Sequence, residues 1–238
     1  MITLFFNVAI LLLALVMIHS YFGIRILKKG IVFTDLAIAS MAGFGIAFSI
    51  VFVDCCYTYH FSFLFSIIGA VIIALMINKT KHIEAFIGLL YILSSSATMI
   101  ILASQGTEHF NEILASDILF TVNIYESVFI YLCVGAVLYL TRNSKYSEWI
   151  FFIALAVTVT SSVNVCGVLV VFSLLVAPAL IALNQNKYPP YILAIVLGTV
   201  LAFISLIGSF YFDLPTGYSI AFVYAISSVL FLITKRVF

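Results

Sequence analysis

Asp35 is the residue whose type and position most suggest chemistry, a carboxylate about one turn into an apolar stretch that begins near Ile31. An ionisable group inside hydrocarbon is costly and needs either a partner or a task. Two readings stand for it: a cation ligand or gate, or a carboxylate at a helix N-terminus, where the dipole favours negative charge. Glu108 and His109 are adjacent in an acidic segment, and carboxylate oxygen with imidazole nitrogen suits Zn²⁺ or Mn²⁺. They make a candidate capture point for a cation, or simply a solvated helix face that continues to Glu112. Glu126, at the end of a later apolar stretch, reads as an interfacial residue reaching water. Cys55 and Cys56 with His60 could capture a soft metal or form a strained vicinal disulfide; the pair could equally just end a helix. Neither they nor Cys133 and Cys166 show the CxxC or Cys/His spacing of a structural zinc site, and they read mostly as small apolar residues.

The elements that must position these groups are apolar throughout. Of 238 residues, 65% are hydrophobic and 8% charged, where soluble domains are nearer half apolar and a quarter charged. A soluble globular protein is excluded. Ten Lys and Arg against nine Asp and Glu leave a net charge of +1, with no basic excess for a nucleic-acid backbone. Apolar runs near the roughly 20 residues needed to cross a bilayer follow one another, at about 3–23, 31–53, 61–77, 84–103, 124–141, 149–163, 165–183, 191–212 and 217–234. The period-two pattern of an outer-membrane strand is absent. The first run has no basic residue before its apolar core and no convincing cleavage site, so it reads as a retained helix. The stretch from Trp149 to Leu183 is too long for one helix, and Ser161 to Gly167 supplies the small and polar residues of a turn. Pro178 should kink the second half unless neighbours satisfy the carbonyl it frees.

The expected fold is therefore all-α: a polytopic helical membrane protein of about nine transmembrane segments, in one membrane domain over residues 1–238. Charge supports the count. With the N-terminus outside and the C-terminus inside, Arg25, Lys28, Lys29, Lys79, Lys81, Arg142, Lys145, Lys187, Lys235 and Arg236 all face the cytoplasm. The opposite loops hold Asp54, Glu108, Glu112, Asp117 and Asp213 and no Lys or Arg.

No GxxxxGK[ST] loop or GxGxxG follows a strand, so the chain has no familiar means of hydrolysing a nucleotide by itself. The four histidines, His19, His60, His82 and His109, are scattered near predicted interfaces, and a nucleophile arrangement is not expected. The run Ser94, Ser95, Ser96 and Thr98, and the later set Thr158, Thr160, Ser161, Ser162 and Asn164, suit either close helix packing or a wetted path.

Four segments in order carry a family likeness: HSYFGIRILKKGIVFTDLAIASMAGFG (His19 to Gly45), GTEHFNEILASDIL (Gly106 to Leu119), VTSSVNVCGVLVVFSLLVAPALIA (Val159 to Ala182) and FDLPTG (Phe212 to Gly217). On these the chain resembles the membrane permeases of bacterial zinc/manganese ABC importers, the binding-protein-dependent metal-uptake class. The resemblance implies a permease subunit, most naturally a homodimer in the cytoplasmic (inner) membrane. It would be driven by two cytoplasmic ABC ATPase subunits and fed by an extracytoplasmic metal-binding protein. The cargo would be a divalent transition metal, Zn²⁺, Mn²⁺ or Fe²⁺, moved by alternating access. No tightly bound cofactor is implied, and ATP hydrolysis falls to the partner. Asp35 occupies the position of an Asp that lines the family's path, with Glu108 and His109 as an external capture point. Pro178 and Gly167 would shape helices beside the path, and Asp213 to Gly217 would form an outer turn.

Two departures accompany the likeness. Many relatives carry a His about a turn after the Asp, where this chain has Ala39 and Ser40. Relatives also carry an amphipathic ATPase-docking stretch before the TSS motif, where this chain has only Thr141 to Glu148. The shortened connection keeps two alternatives open: an ATP-independent secondary transporter or channel, and a non-transporting membrane assembly subunit.

Overall fold

A chain this apolar can satisfy its backbone within a membrane only by closing hydrogen bonds inside each segment. The computed structural model describes residues 2–53, 55–77, 79–80, 82–102, 124–185 and 188–237. Among these residues are nine α-helices and no strand: α1 (Ile2–Lys29), α2 (Thr34–Phe52), α3 (Thr58–Met76), α4 (Ile83–Leu102), α5 (Ile124–Leu140), α6 (Ser147–Cys166), α7 (Val168–Leu183), α8 (Pro190–Phe212) and α9 (Thr216–Val237). Seven are long and apolar enough to cross a membrane, while α5 and α7, at 17 and 16 residues, are shorter apolar helices. The chain is an all-α, multi-pass membrane protein.

Two boundaries differ from the sequence expectation. α1 continues past residue 23 to Lys29, because the polar residues that seemed to end the span are long cations, which suit a helix C-terminus and keep their apolar stems along the helix. Gly30, at φ +68°, then ends it in the left-handed conformation, with its N–H donating to Leu27 O at 3.2 Å. The break in the long apolar stretch falls at Gly167, after the serines. Its φ of 80° and ψ of 162° belong to a region open essentially to glycine alone.

Backbone contacts divide the chain into two compact units. One contains α1, the start of α5, α7, α8 and α9; there α7 packs on α1, α8 and α9, and α8 packs on α1 and α9. Small residues let these helices approach closely. A Cβ on Gly23 would collide with the Leu175 carbonyl, and one on Gly198 would lie 2.7 Å from Val16 Cγ1. The buried Tyr224 hydroxyl on α9 donates to Gly198 O on α8 at 2.5 Å.

The other unit contains α2, α3, α4, the rest of α5 and most of α6, with α2 packed on both α3 and α4. Gly45 sits against the Phe61 carbonyl, where a Cβ would again collide. Beside it, Phe44 meets Phe65 edge-on at 5.0 Å, and Phe48 lies 5.7 Å from Phe61 and 5.6 Å from Phe65. These separations are favourable for aromatic pairs. Outer faces are also apolar, with Ile100, Leu140, Phe210 and Tyr211 exposed, as lipid requires and water would not tolerate.

Candidate functional site

Asp35 lies in the first turn of α2, and its side chain is 1% exposed. No side chain at the N-cap position, Phe33, closes the helix start. Support comes instead from α4, where Glu84 Oε1 accepts the Phe33 N–H at 3.4 Å, and from Thr34 Oγ1 donating to Ile31 O at 2.7 Å. The Asp35 carboxylate meets the Leu36 backbone N–H, in the first turn, where the helix dipole favours negative charge. Its Oδ1, buried, has no hydrogen-bond partner, and that leaves the cation-contact reading standing as well. Burying a carboxylate oxygen unpaired is unfavourable by several kcal/mol in principle (~1–3 in proteins), so a cation there would relieve a real deficit.

One turn further along α2, at the position where the resemblance led to an expected second ligand, Ala39 offers none. The Ser40 hydroxyl donates to Ala37 O at 3.0 Å and shares a short hydrogen bond with Ser94 of α4. Serine therefore ties two helices together at that level. Among the described residues, no group of three or more His, Cys, Asp or Glu side chains converges to hold a metal. Among the described residues, Asp35 therefore has no cage of further ligands around it.

Glu108 and His109 lie outside the described residues. Glu126 is exposed in the first turn of α5, in keeping with its interfacial reading. Cys55 to Tyr57 form a 3-10 turn between α2 and α3, the helix-ending role. The Ser/Thr runs are mostly engaged with their own helices: Thr98 donates to Ser94 O at 2.8 Å, Thr158 to Ala154 O at 2.9 Å and Ser162 to Thr158 O at 2.7 Å. Such back-bonding favours packing over a wetted path. Thr160 Oγ1, buried and without a partner, departs from that pattern.

His19 is the residue that sequence reasoning misplaced. A span ending near residue 23 puts it close to an interface; with α1 continuing to Lys29 it stands near the middle of the crossing stretch Asn7–Lys29, fully buried. Its Nδ1 donates to Leu15 O at 2.9 Å and its Nε2 has no partner. The signal was available in the sequence, since Arg25, Lys28 and Lys29 are residues a helix end accommodates.

The connection between α5 and α6 is a run of turns over residues 141–146, held by Ser144 N–H to Thr141 O at 2.9 Å and Ser147 N–H to Ser144 O at 3.1 Å. It contains no docking helix. Arg142 stacks its guanidinium 4.8 Å from the Tyr139 ring. At the other expected turn, Asp213 takes a left-handed φ of 51°, Leu214 N–H donates to Ser209 O at 2.9 Å, and Ser209 Oγ donates to Leu214 O at 2.7 Å. Pro178 lies buried within α7, its Cγ 3.4 Å from where a Cβ on Gly198 would sit.

Residues 140–235 match the profile of the ABC 3 transport family. The fold is similar to that of a chain in "PsaBC from Streptococcus pneumoniae in complex with Fab", with a TM-score of 0.71 over 95% of this chain and 89% of that one, at 18% identity. It is equally like an inward-facing protein described as a metal-chelate type ABC transporter, with a TM-score of 0.69 over 95% and 85% of the two chains, at 16% identity. No curated protein sequence gives a significant match. The family match over residues 140–235 and the similar folds agree with the resemblance read from the sequence, to ABC transport permeases. Asp35 and His19 lie outside the residues that match the family profile.

Proposed function

We propose that this chain is the permease subunit of an ATP-driven importer for a divalent transition-metal ion, Zn²⁺, Mn²⁺ or Fe²⁺. It works in the cytoplasmic membrane by alternating access, with the N-terminus outside and the C-terminus inside. The observation that carries the reading is Asp35: a buried carboxylate oxygen with no partner, in the first turn of α2, in a chain with the fold of ABC permeases. A hard-to-borderline cation is the partner such an oxygen lacks. The chain pairs as a homodimer, takes its energy from cytoplasmic ABC ATPase subunits and receives its ion from an extracytoplasmic binding protein. Glu108 and His109 serve as the outer capture point.

The chain's own part is to bind and release. Oδ1 of Asp35 holds the ion by charge, and no proton or covalent step is needed. With Ala39 in place of a second ligand, affinity at this point is low, which favours release over retention.

The turns at 141–146 favour a second reading, an ATP-independent transporter, because they offer no helix for an ATPase to grip. Reconstitution separates the two. Proteoliposomes containing this chain, its neighbouring ATPase and its binding protein should accumulate ⁶⁵Zn or ⁵⁴Mn only with ATP and all three components. Uptake by the chain alone, driven by an ion gradient, would establish the second reading. Absence of uptake in both formats, from an intact assembled protein, would leave the assembly-subunit role.

A further inference from the structure

We propose that Nε2 of His19, at the middle of α1, is a contact for the transported transition-metal ion. The inference deepens the importer reading and rests on it.

The tautomer comes first. A carbonyl oxygen only accepts, so the 2.9 Å contact between Nδ1 and Leu15 O puts the proton on Nδ1. In the neutral ring Nε2 then carries the free lone pair. Metal-ligating imidazoles are characteristically oriented in this way, one nitrogen donating to a backbone carbonyl and the other left for the metal. His19 has both halves of that arrangement, with Nε2 buried and without a partner.

Position supplies the second half of the argument. Val16, His19 and Gly23 fall at i, i+3 and i+7 and share one face of α1. Val16 meets Gly198 of α8, and Gly23 presses on the Leu175 carbonyl and on Ala179 of α7. The imidazole is thus carried on the stripe that packs against α7 and α8. In that packing Pro178 has no N–H to offer the Leu174 carbonyl one turn back.

Packing alone does not explain the residue. A His whose only purpose was to fill volume would be better replaced by Leu or Met, which leave nothing unsatisfied. Ser20, the next residue, also has a buried hydroxyl without a partner and flanks the Val16–Gly23 line on its other side, but a neutral hydroxyl is not among the usual ligands of a transition metal, whereas imidazole is. Ser20 serves as a control.

The test uses the assembled transporter with its ATPase and binding protein, and two readouts: metal uptake, and absorption spectra of Co²⁺ added alone to the purified complex. His19→Ala and His19→Gln should weaken Co²⁺ binding at least about tenfold and lower Zn²⁺ and Mn²⁺ uptake. His19→Cys should restore binding, add a thiolate-to-Co²⁺ charge-transfer band and shift preference toward Zn²⁺ over Mn²⁺. Ser20→Ala should leave both readouts unchanged. Gln places a hydrogen-bonding group near Nε2 without ligating well, so wild-type behaviour in His19→Gln would assign Nε2 to a hydroxyl or water and overturn the proposal. Should His19→Ala fail to assemble, the Gln and Cys variants decide. If Asp35→Ala loses uptake while every His19 variant behaves as wild type, this inference fails and the importer reading stands. If the wild-type complex neither binds Co²⁺ nor takes up metal, the importer reading itself fails.

Discussion

The unit built on α2, α3 and α4 and the unit built on α1, α7, α8 and α9 solve the same packing problem and leave different residues undone. Each presses one glycine against a carbonyl, Gly45 on Phe61 and Gly23 on Leu175. Each also keeps an ionisable side chain buried with one atom unpartnered, Asp35 Oδ1 in the first and His19 Nε2 in the second. The difference is in what surrounds that atom. Asp35 sits at a helix start, where backbone N–H groups and the dipole support a carboxylate whatever else it does. His19 sits in mid-helix, where the backbone gives it a carbonyl and nothing more. A partly supported group can be structural and functional at once; an unsupported one is the better marker of a ligand.

Glycine substitution is expected to have the largest effects. Gly23→Ala and Gly45→Ala put a methyl group into a backbone carbonyl that has no rotamer to retreat to, so each should destabilise by about 3 kcal/mol or more. Gly88→Ala, with open space around its Cβ position, should be neutral or gain up to ~1 kcal/mol of helix propensity. Thermal unfolding in detergent checks all three; equal losses at Gly23 and Gly88 would break the claim that close approach matters.

The unpartnered groups should behave in the opposite sense, losing function without losing stability. Asp35→Asn removes a buried charge and His19→Leu a buried unpaired nitrogen, and stability should hold or rise by about 1–3 kcal/mol. Uptake should fall. For Asp35 the gain is reduced by lost helix-start support, ~0.5 kcal/mol, which makes the two units distinguishable in one experiment. Destabilisation by 2 kcal/mol in both would mean that partners exist where none is seen.

A smaller effect is expected at Tyr224, whose hydroxyl joins α9 to α8. Tyr224→Phe should cost about 1 kcal/mol, with no change in metal preference. Least of all, Asp213→Gly should stabilise by ~0.5 kcal/mol, because Asp213 holds a left-handed φ that glycine adopts freely. Loss of stability there would show that the Asp213 side chain has work in the turn beyond its backbone.

Much of the fold could be read in the residues, because span length and the distribution of Lys and Arg are imposed by the bilayer itself. The order of nine helices and the turn at Asp213 to Gly217 followed from those constraints. The break in the long stretch was misplaced by a few residues because serines and threonines in an apolar helix can bond back to its own carbonyls, as Thr158 and Ser162 do; only Gly167 could take the required dihedrals. Asp35 was legible because a carboxylate in an apolar run stands out at any register. His19 was not, since its significance depends on where α1 ends and on which ring nitrogen is engaged, and a string of letters records neither. Glu84 escaped notice for a related reason: its use is to support the start of α2 from another helix.

The most direct test of the account is metal uptake by Asp35→Ala in the reconstituted three-component transporter, with assembly and thermal stability measured on the same preparation. The account predicts stable, assembled protein whose ATP-dependent ⁶⁵Zn or ⁵⁴Mn uptake falls at least about tenfold, equivalent to roughly 1.4 kcal/mol. Unchanged uptake in an assembled Asp35→Ala complex would contradict it, returning Asp35 to a structural role at the start of α2.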